Sequence, residues 1–209
     1  MTVRGTSPTL VLASNNRKKL QELQTLLAHA PGGVALAPQC TFNIPEAIED
    51  GLSFVENALI KARHASVLTG LPAIADDSGL EVDALDGAPG IHSARFAARA
   101  GEGNSSDDAN NTLLLERLRD VPRAQRTARF QCAIVLHRFP KDPTPLVCQG
   151  TWEGLILETP TGAHGFGYDP LFFVPTHHCS SAELAPDVKN ALSHRGQALR
   201  QLLARWPFR

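Results

Sequence analysis

Leu71-Pro72-Ala73-Ile74-Ala75-Asp76-Asp77-Ser78-Gly79-Leu80 is the stretch on which both the fold and the chemistry turn. The apolar tetrad Leu71 to Ile74 reads as a short buried strand. Two carboxylates follow it, and then Ser78-Gly79, a turn dipeptide. Acidic groups at the end of a buried strand are costly unless something pairs with them. A metal ion, a reacting water or a basic partner fills that role. Neighbouring side chains in a strand point to opposite faces, so Asp76 and Asp77 have different jobs and only one need face a site. An ordinary Asp-rich turn, with each carboxylate capping its own backbone, is the alternative. Beyond the turn, Leu80 to Leu85 alternates apolar and polar residues as a half-exposed strand does.

Upstream, Thr9 to Ala13 is a continuous apolar run suited to a buried strand. It ends in Ser14, Asn15 and Asn16, which are turn and cap residues. A helix follows from about Arg17 to Ala28, with Leu20, Leu23, Leu26 and Leu27 at helical spacing. The start of such a helix offers free backbone N–H groups and a positive dipole end, which suits a phosphate. Lys19 in the first turn is slightly unfavourable for the helix but useful to a bound anion. A solvated amphipathic helix with a polar cap is the plainer reading. Residues 31–50 are loop-rich, with a short strand over Val34 to Ala37 and an acidic end at Glu46, Glu49 and Asp50. Ser53-Phe54-Val55-Glu56 is a capping box. It predicts a helix to about Leu68 that buries Phe54, Ala58, Leu59, Ala62 and Ala65 and also carries Lys61 and Arg63. Gly70 suits its end.

Downstream, Gly87 to Gly90 is a turn, and Ile91 to Phe96 leads into irregular polar sequence. Ser106 caps a third helix to about Arg119. Arg126 to His137 and Leu146 to Leu157 form a long antiparallel hairpin, which makes the sheet mixed. Residues 158–171 are a loop in which Gly162, Gly165 and Gly167 flank Phe166 and Tyr168. Its aromatics either stack on a nucleobase or fold back into the core. Leu171 to Val174 is a short strand, and His177-His178 lies on a surface loop. In the final helical region Ser193 caps the last helix. That puts His194 and Arg195 in the first turn, an unusual place for cations unless they meet an anion.

The bulk numbers are ordinary for a globular protein, and any polyanion would have to be met by a local cluster of charge. The chain has 209 residues, 43% hydrophobic and 20% charged, with net charge −1. No overall basic field draws it to nucleic acid or an anionic membrane. The four cysteines (Cys40, Cys132, Cys148, Cys179) include no C-x-x-C pair, so neither a zinc site nor a redox dithiol is indicated. No apolar run approaches the ~18–20 residues that span a bilayer, and the first residues lack an apolar signal core. A soluble cytoplasmic protein is expected.

Four separated features suit one ligand. Ser14 to Lys19 offer a phosphate cradle. Glu49, Asp76 and Asp77 offer hard oxygen ligands of the type Mg²⁺ takes beside substrate phosphates. Phe166 to Asp169 offer stacking and a carboxylate, and Lys189, His194 and Arg195 a positive clamp. Together they describe a nucleoside polyphosphate site. Neither G-x-x-x-x-G-K-[ST] nor a strand-linked G-x-G-x-x-G is present, so P-loop and dinucleotide folds are not supported.

At these positions the chain closely resembles the inosine/xanthosine triphosphate pyrophosphatase family, the HAM1-like proteins. The matching motifs are Leu12 to Asn16 with Lys19 and Glu22, Gly51 to Ala58 with Lys61-Ala62, and Ala75 to Leu80. Gly87 to Gly90 with Ser93-Ala94-Arg95, Gly165 to Pro170, and Lys189 with Ser193 to Gly196 continue the series. Any one is weak; the series in order is specific. It covers nearly the whole chain after an extension over residues 1–8, expected to be flexible.

The resemblance implies an α/β fold: an elongated mixed sheet flanked by helices, one domain over residues 1–209 with two lobes and a central cleft. It implies hydrolysis of ITP, dITP and XTP to the monophosphate and pyrophosphate, with Mg²⁺, by a homodimer. It places Ser14, Asn15, Asn16, Arg17, Lys18 and Lys19 on the triphosphate, and Glu49 and Asp77 on the metal. Asp77 is the implied general base; spacing alone does not choose it over Asp76. Ser78, Phe166, Gly167, Tyr168 and Asp169 bind substrate with Lys189, His194 and Arg195, and Phe166 stacks on the base. A nucleotide-binding regulator without turnover would use the same residues. A Maf-type pyrophosphatase is disfavoured by the order of Asp-Asp-Ser-Gly and Ser-His-Arg.

Overall fold

The computed structural model describes residues 9–27, 30, 31, 33–101 and 106–208, and the backbone alone of Arg17. The expected extension over residues 1–8, and Ala28 at the expected end of the first helix, lie outside the described residues. Among these residues seven strands form one sheet, in the order β2-β1-β3-β4-β5-β6-β7. The chain divides into two compact units. The first holds the chain up to Asp77, Ala133–Gln149 and the stretch from Ala198; the second holds Ser78–Cys132 and Gly150–Gln197.

In the first unit, β1 (Thr9–Leu12) leads into α1 (Arg17–Leu27) and back to β2 (Ala35–Pro38). β1 pairs in parallel with β2, Leu10 opposite Leu36, and with β3 (Ala73–Val82), Val11 opposite Ala73. Parallel neighbours need a crossover, which α1 and then α2 (Phe54–Thr69) supply. β1 reads as an unbroken apolar run because Val11 and Leu12 are fully buried. Ser53 caps α2: its hydroxyl accepts from the Glu56 N–H at 3.3 Å, and the Glu56 carboxylate accepts from the Leu52 N–H at 2.9 Å. Gly70 ends the helix at φ 72. Ala58, Ala62 and Ala65 pack on Val11, Ala13, Ala73, Ala75, Ala133 and Val135. Residues this small let helix and sheet approach closely.

The second unit carries α3 (Phe96–Ala100), α4 (Asp107–Arg117) and α5 (Pro186–Leu192), and α6 (His194–Ala204) begins in it. β4 (Thr127–His137) and β5 (Leu146–Ile156) are sheet neighbours joined by residues 138–145. β6 (Phe172–Val174) runs antiparallel to β5 and to β7 (Cys179–Ser180), so the sheet is mixed as expected. Its core is aromatic: Phe172 lies 4.5 Å from Phe130 and 5.1 Å from Trp152, ring centre to ring centre. Leu80, Val82, Leu114 and Leu118 pack around them. Cys132 and Cys148 are buried and in no disulfide among the described residues.

The structure corrects three expectations. Ser78-Gly79 is not a turn. β3 runs unbroken from Ala73 to Val82, and the second expected strand is its continuation, ended by a short 3-10 turn over Asp83–Leu85. The Ser-Gly dipeptide stays extended because its surroundings satisfy it: Arg195 donates to the Ser78 hydroxyl, and Ser93 Oγ accepts from the Leu80 N–H at 2.8 Å. The sequence expected to be irregular beyond Phe96 instead opens with α3, Phe96–Ala100, which follows a 3-10 segment over Gly90–Arg95. Residues 39–42 also form a 3-10 turn.

His137, at the end of β4, is fully buried, and neither ring nitrogen has a hydrogen-bond partner among the described residues. Burial holds its imidazole below the ordinary range; repulsion from Arg63 adds to this and attraction to Asp142 opposes it. The unfolded chain therefore takes up a proton near its ordinary pKa of about 6.5 that the folded chain refuses. This contribution to stability is present above about pH 6.5 and is lost as the pH falls below it. Thermal melts between about pH 8 and pH 5 are expected to show a shallower decline of Tm for His137→Leu than for the parent chain. Equal slopes would show that His137 is not responsible.

Candidate active site

Strand parity explains how two neighbouring carboxylates are handled in the first unit. Ala73, Ala75 and Asp77 share one face of β3. Ala73 and Ala75 pack against Ala58, Ala62 and Ala65 of α2. Lys61 lies three residues after Ala58 and four before Ala65, so it projects from that same helix face. Its ammonium sits 2.6 Å from Asp77 Oδ1 and 3.4 Å from Glu49 Oε2. Asp76 takes the opposite face, with the buried Ile74. There Lys19 of α1 meets its Oδ1 at 2.8 Å. The two aspartates thus have separate lysines from separate helices.

The Asp76 side chain is only 1% exposed and that of Asp77 11%. Burial pushes the Asp77 carboxyl above its ordinary value, and the attraction of Lys61 and Lys19 offsets only part of this. Burial works against the Lys61 ammonium, but Asp77 and Glu49 together hold its pKa above the ordinary lysine value. Asp77 Oδ2 is buried and has no hydrogen-bond partner among the described residues. A carboxylate with one oxygen tied, one open and a raised proton affinity is suited to general-base work.

The same arrangement bears on metal binding. Among the described residues no group of three or more His, Cys, Asp or Glu side chains gathers for a metal. Mg²⁺ does not require one: it commonly takes one or two protein carboxylates and completes its shell with water and substrate phosphate. Glu49 and Asp77 are hard oxygen donors that already share one cation, the Lys61 ammonium, and Asp77 keeps an open oxygen. That donor set fits Mg²⁺.

At the helix start beside this centre, two of the expected donors already have a partner. Asn16 Oδ1 accepts from the N–H groups of Lys18 and Lys19 at 3.0 and 3.1 Å, so the free donors expected there carry a side-chain cap. Ser14 Oγ accepts from the Asn16 N–H at 3.1 Å, and Asn15 Nδ2 donates to Glu46 Oε1 at 2.7 Å. Asn is among the best capping residues, which is why it fills the place assigned to an anion. An incoming phosphate would have to displace Asn16 or bind through the lysine side chains. The Arg17 side chain lies outside the described residues.

In the second unit the glycine-rich loop is fixed from within by Asp169, which is buried. Its carboxylate accepts from the Phe166 N–H at 2.8 Å, from Ser181 Oγ at 2.7 Å and from Lys189 Nζ at 2.6 Å. Gly165, at φ 77, makes room for it, since a Cβ there would collide with the Asp169 carboxylate. Tyr168 is also buried and donates its hydroxyl to the Ser93 carbonyl at 2.8 Å. Asp169 and Tyr168 therefore spend their side chains on holding the loop. Phe166 is half-buried, and its ring lies under two cations, Lys189 Nζ at 5.6 Å and the Arg195 guanidinium at 5.9 Å.

Ser193 caps α6 as expected, accepting from the Gly196 N–H at 3.1 Å, and puts His194 and Arg195 in its first turn. Both are buried. His194 stacks on Phe130 at 4.8 Å with 13° between the planes, and Arg195 Nη2 donates to Ser78 Oγ at 2.8 Å. Sequence reasoning gave no site role to Lys61 or Ser181. A lysine spaced with the buried alanines of α2 was the available signal for Lys61; nothing local marks Ser181.

Known proteins resemble this chain over nearly its whole length. The model of the Ham1 family matches residues 10–205. A dITP/XTP pyrophosphatase of Vibrio cholerae is 56% identical over 92% of this chain and 94% of its own length. One from Pseudomonas syringae pv. tomato is 56% identical over 91% and 92%. Among solved structures, a HAM1 protein from Coxiella burnetii is 48% identical, covers 95% of this chain and 98% of its own, and superposes with a TM-score of 0.85. A nucleoside-triphosphatase, dITP/XTP pyrophosphatase, from Mycobacterium abscessus is 42% identical over 96% and 100%, with a TM-score of 0.73. With the family model matching nearly its whole length, this chain belongs to the Ham1 family.

Proposed function

We propose that the chain hydrolyses the purine nucleoside triphosphates ITP, dITP and XTP to the monophosphate and pyrophosphate, clearing non-standard bases from the nucleotide pool. The observation that carries this is Asp77: a buried carboxylate of raised proton affinity, tied through Oδ1 to Lys61 and open at Oδ2, in a chain of this family. The names of the relatives in Vibrio cholerae and Pseudomonas syringae supply dITP and XTP, and the resemblance of the motifs adds ITP. The protein works in the cytoplasm as a homodimer. Among the described residues no helix is long and apolar enough to cross a membrane, and the net charge of −1 offers no broad attraction to nucleic acid.

Water attacks the α-phosphorus, and the bond to the bridging oxygen of the β-phosphate breaks, releasing pyrophosphate. Asp77 Oδ2 accepts the proton of that water, while Lys61 on Oδ1 keeps the carboxylate in place. Lys19 and Lys61 counter the triphosphate charge, and Ser14, Asn15, Asn16, Arg17 and Lys18 border it. Mg²⁺, which Glu49 and Asp77 would hold, supplies further neutralisation when bound. The base and ribose lie with Ser78 and the loop from Phe166 to Asp169. Phe166 stacks on the base, and Lys189, His194 and Arg195 furnish positive charge.

Pyrophosphate release is expected to match nucleotide consumed one to one for ITP, XTP and dITP, to be much slower with GTP and ATP, and to stop when EDTA removes the metal. Nucleotide bound without any pyrophosphate released would instead mark a regulator. Asp77→Asn keeps an acceptor for Lys61 but loses the base. Turnover should fall by a factor of about 100 or more, while nucleotide binding measured by calorimetry largely survives. Turnover near that of the parent chain would remove Asp77 from the role of base.

A further inference from the structure

We propose that Asp107 and Asn111 of α4 are positioning residues for the substrate base, acting through a two-point clamp on Gly167. The inference rests on the reading that the Phe166 loop receives the base. Asp107 Oδ2 accepts from the Gly167 N–H at 2.9 Å, and Asn111 Nδ2 donates to the Gly167 carbonyl at 3.0 Å. The two residues are four apart on a helix and so share a face. Both polar groups of one peptide residue are thereby fixed from a single rigid element.

Gly167 needs such fixing. It has no side chain to pack and sits at φ 62, a conformation it can leave at little steric cost. Its neighbours are fixed by other partners, Phe166 N–H by Asp169 and the Tyr168 hydroxyl by the Ser93 carbonyl. α4 itself is anchored. Ser106 caps it, Leu113 and Leu114 are buried, and Asn110 ties it to the Ala97 N–H at 2.9 Å and the Ala94 carbonyl at 3.3 Å. The direction in which the Phe166 ring faces is therefore set through the following peptide by a helix that itself supplies no stacking group.

Asn111 adds an independent sign. Its Oδ1 is buried with no partner among the described residues. A half-satisfied buried amide disfavours the fold, so the bond made by its other half is what it contributes. The clamp also limits base reading: the single N–H of Gly167 is engaged, and only its carbonyl keeps a second lone pair.

The test compares a substrate that has a base with an inhibitor that has none. Asp107→Ala should raise KM for ITP about tenfold, and Asn111→Ala, which loses a neutral bond, about threefold. In both, kcat should stay within about twofold. The inhibition constant of inorganic tripolyphosphate, which lacks base and ribose, should not change. Asp107→Asn retains an acceptor and should restore most of the loss, and it keeps the test open if the alanine variant fails to fold. ITP KM values equal to the parent in both alanine variants overturn the clamp. So does a parallel weakening of tripolyphosphate, which would mean general loosening. If the parent chain releases no pyrophosphate, the pyrophosphatase reading fails by itself. Calorimetric titration with IMP then decides: weaker IMP binding in Asp107→Ala supports the clamp, and unchanged binding overturns it.

Discussion

Two carboxylates lie side by side in a buried strand, and each is neutralised by an ammonium from a different helix. This constraint organises the first unit. An ionised carboxylate removed from water is tolerated only when paired, and losing one partner of a buried pair costs about 3–5 kcal/mol. β3 must therefore run straight past Asp76 and Asp77 to point them at opposite faces, and α1 and α2 must each present a lysine at the right height. The alanines on α2 and β3 let the helix come close enough for Lys61 to span Asp77 and Glu49. The centre sets the two ammoniums against Asp76, Asp77 and Glu49, and among the described residues Asp77 Oδ2 keeps no hydrogen-bond partner.

The second unit solves the same problem once more with Asp169. There a buried carboxylate gathers a backbone N–H, a hydroxyl and an ammonium, and so shapes the loop and aims Lys189 in a single step. Phe166 stays half-buried beneath two cations, while Tyr168 turns inward. The difference lies in the backbone: the loop's positive-φ glycines turn successive residues in different directions.

Much of this was legible in the chain. The apolar run from Thr9, the Ser53 capping box, the leucines of α1 and the long strands around Ile134 and Trp152 read directly as the elements they form. These features act within a turn or a strand, where local periodicity carries the signal. Ser78-Gly79 misread as a turn because dipeptide preference is weak beside sheet pairing and the contacts of Arg195 and Ser93. At the start of α1 the residue types were legible but not that Asn16 caps the Lys18 and Lys19 N–H groups itself, since the choice between a side-chain cap and a bound anion leaves the local pattern unchanged. Ser181, Asp107 and Asn111 carry no local mark, since their partners lie far along the chain.

The sequence by itself determined the residue types, their order and the parity that separates Asp76 from Asp77, since alternation follows from strand geometry alone. Resemblance of the motifs pointed to the family. Only the tertiary structure decided that Asp77 is the carboxylate with Lys61 on one oxygen and no partner among the described residues on the other, that Asp76 belongs to Lys19, and that Tyr168 supports the loop from inside. These are pairings between residues distant in the chain. They depend on how closely helix and sheet approach and which rotamers reach across, and no local pattern encodes either.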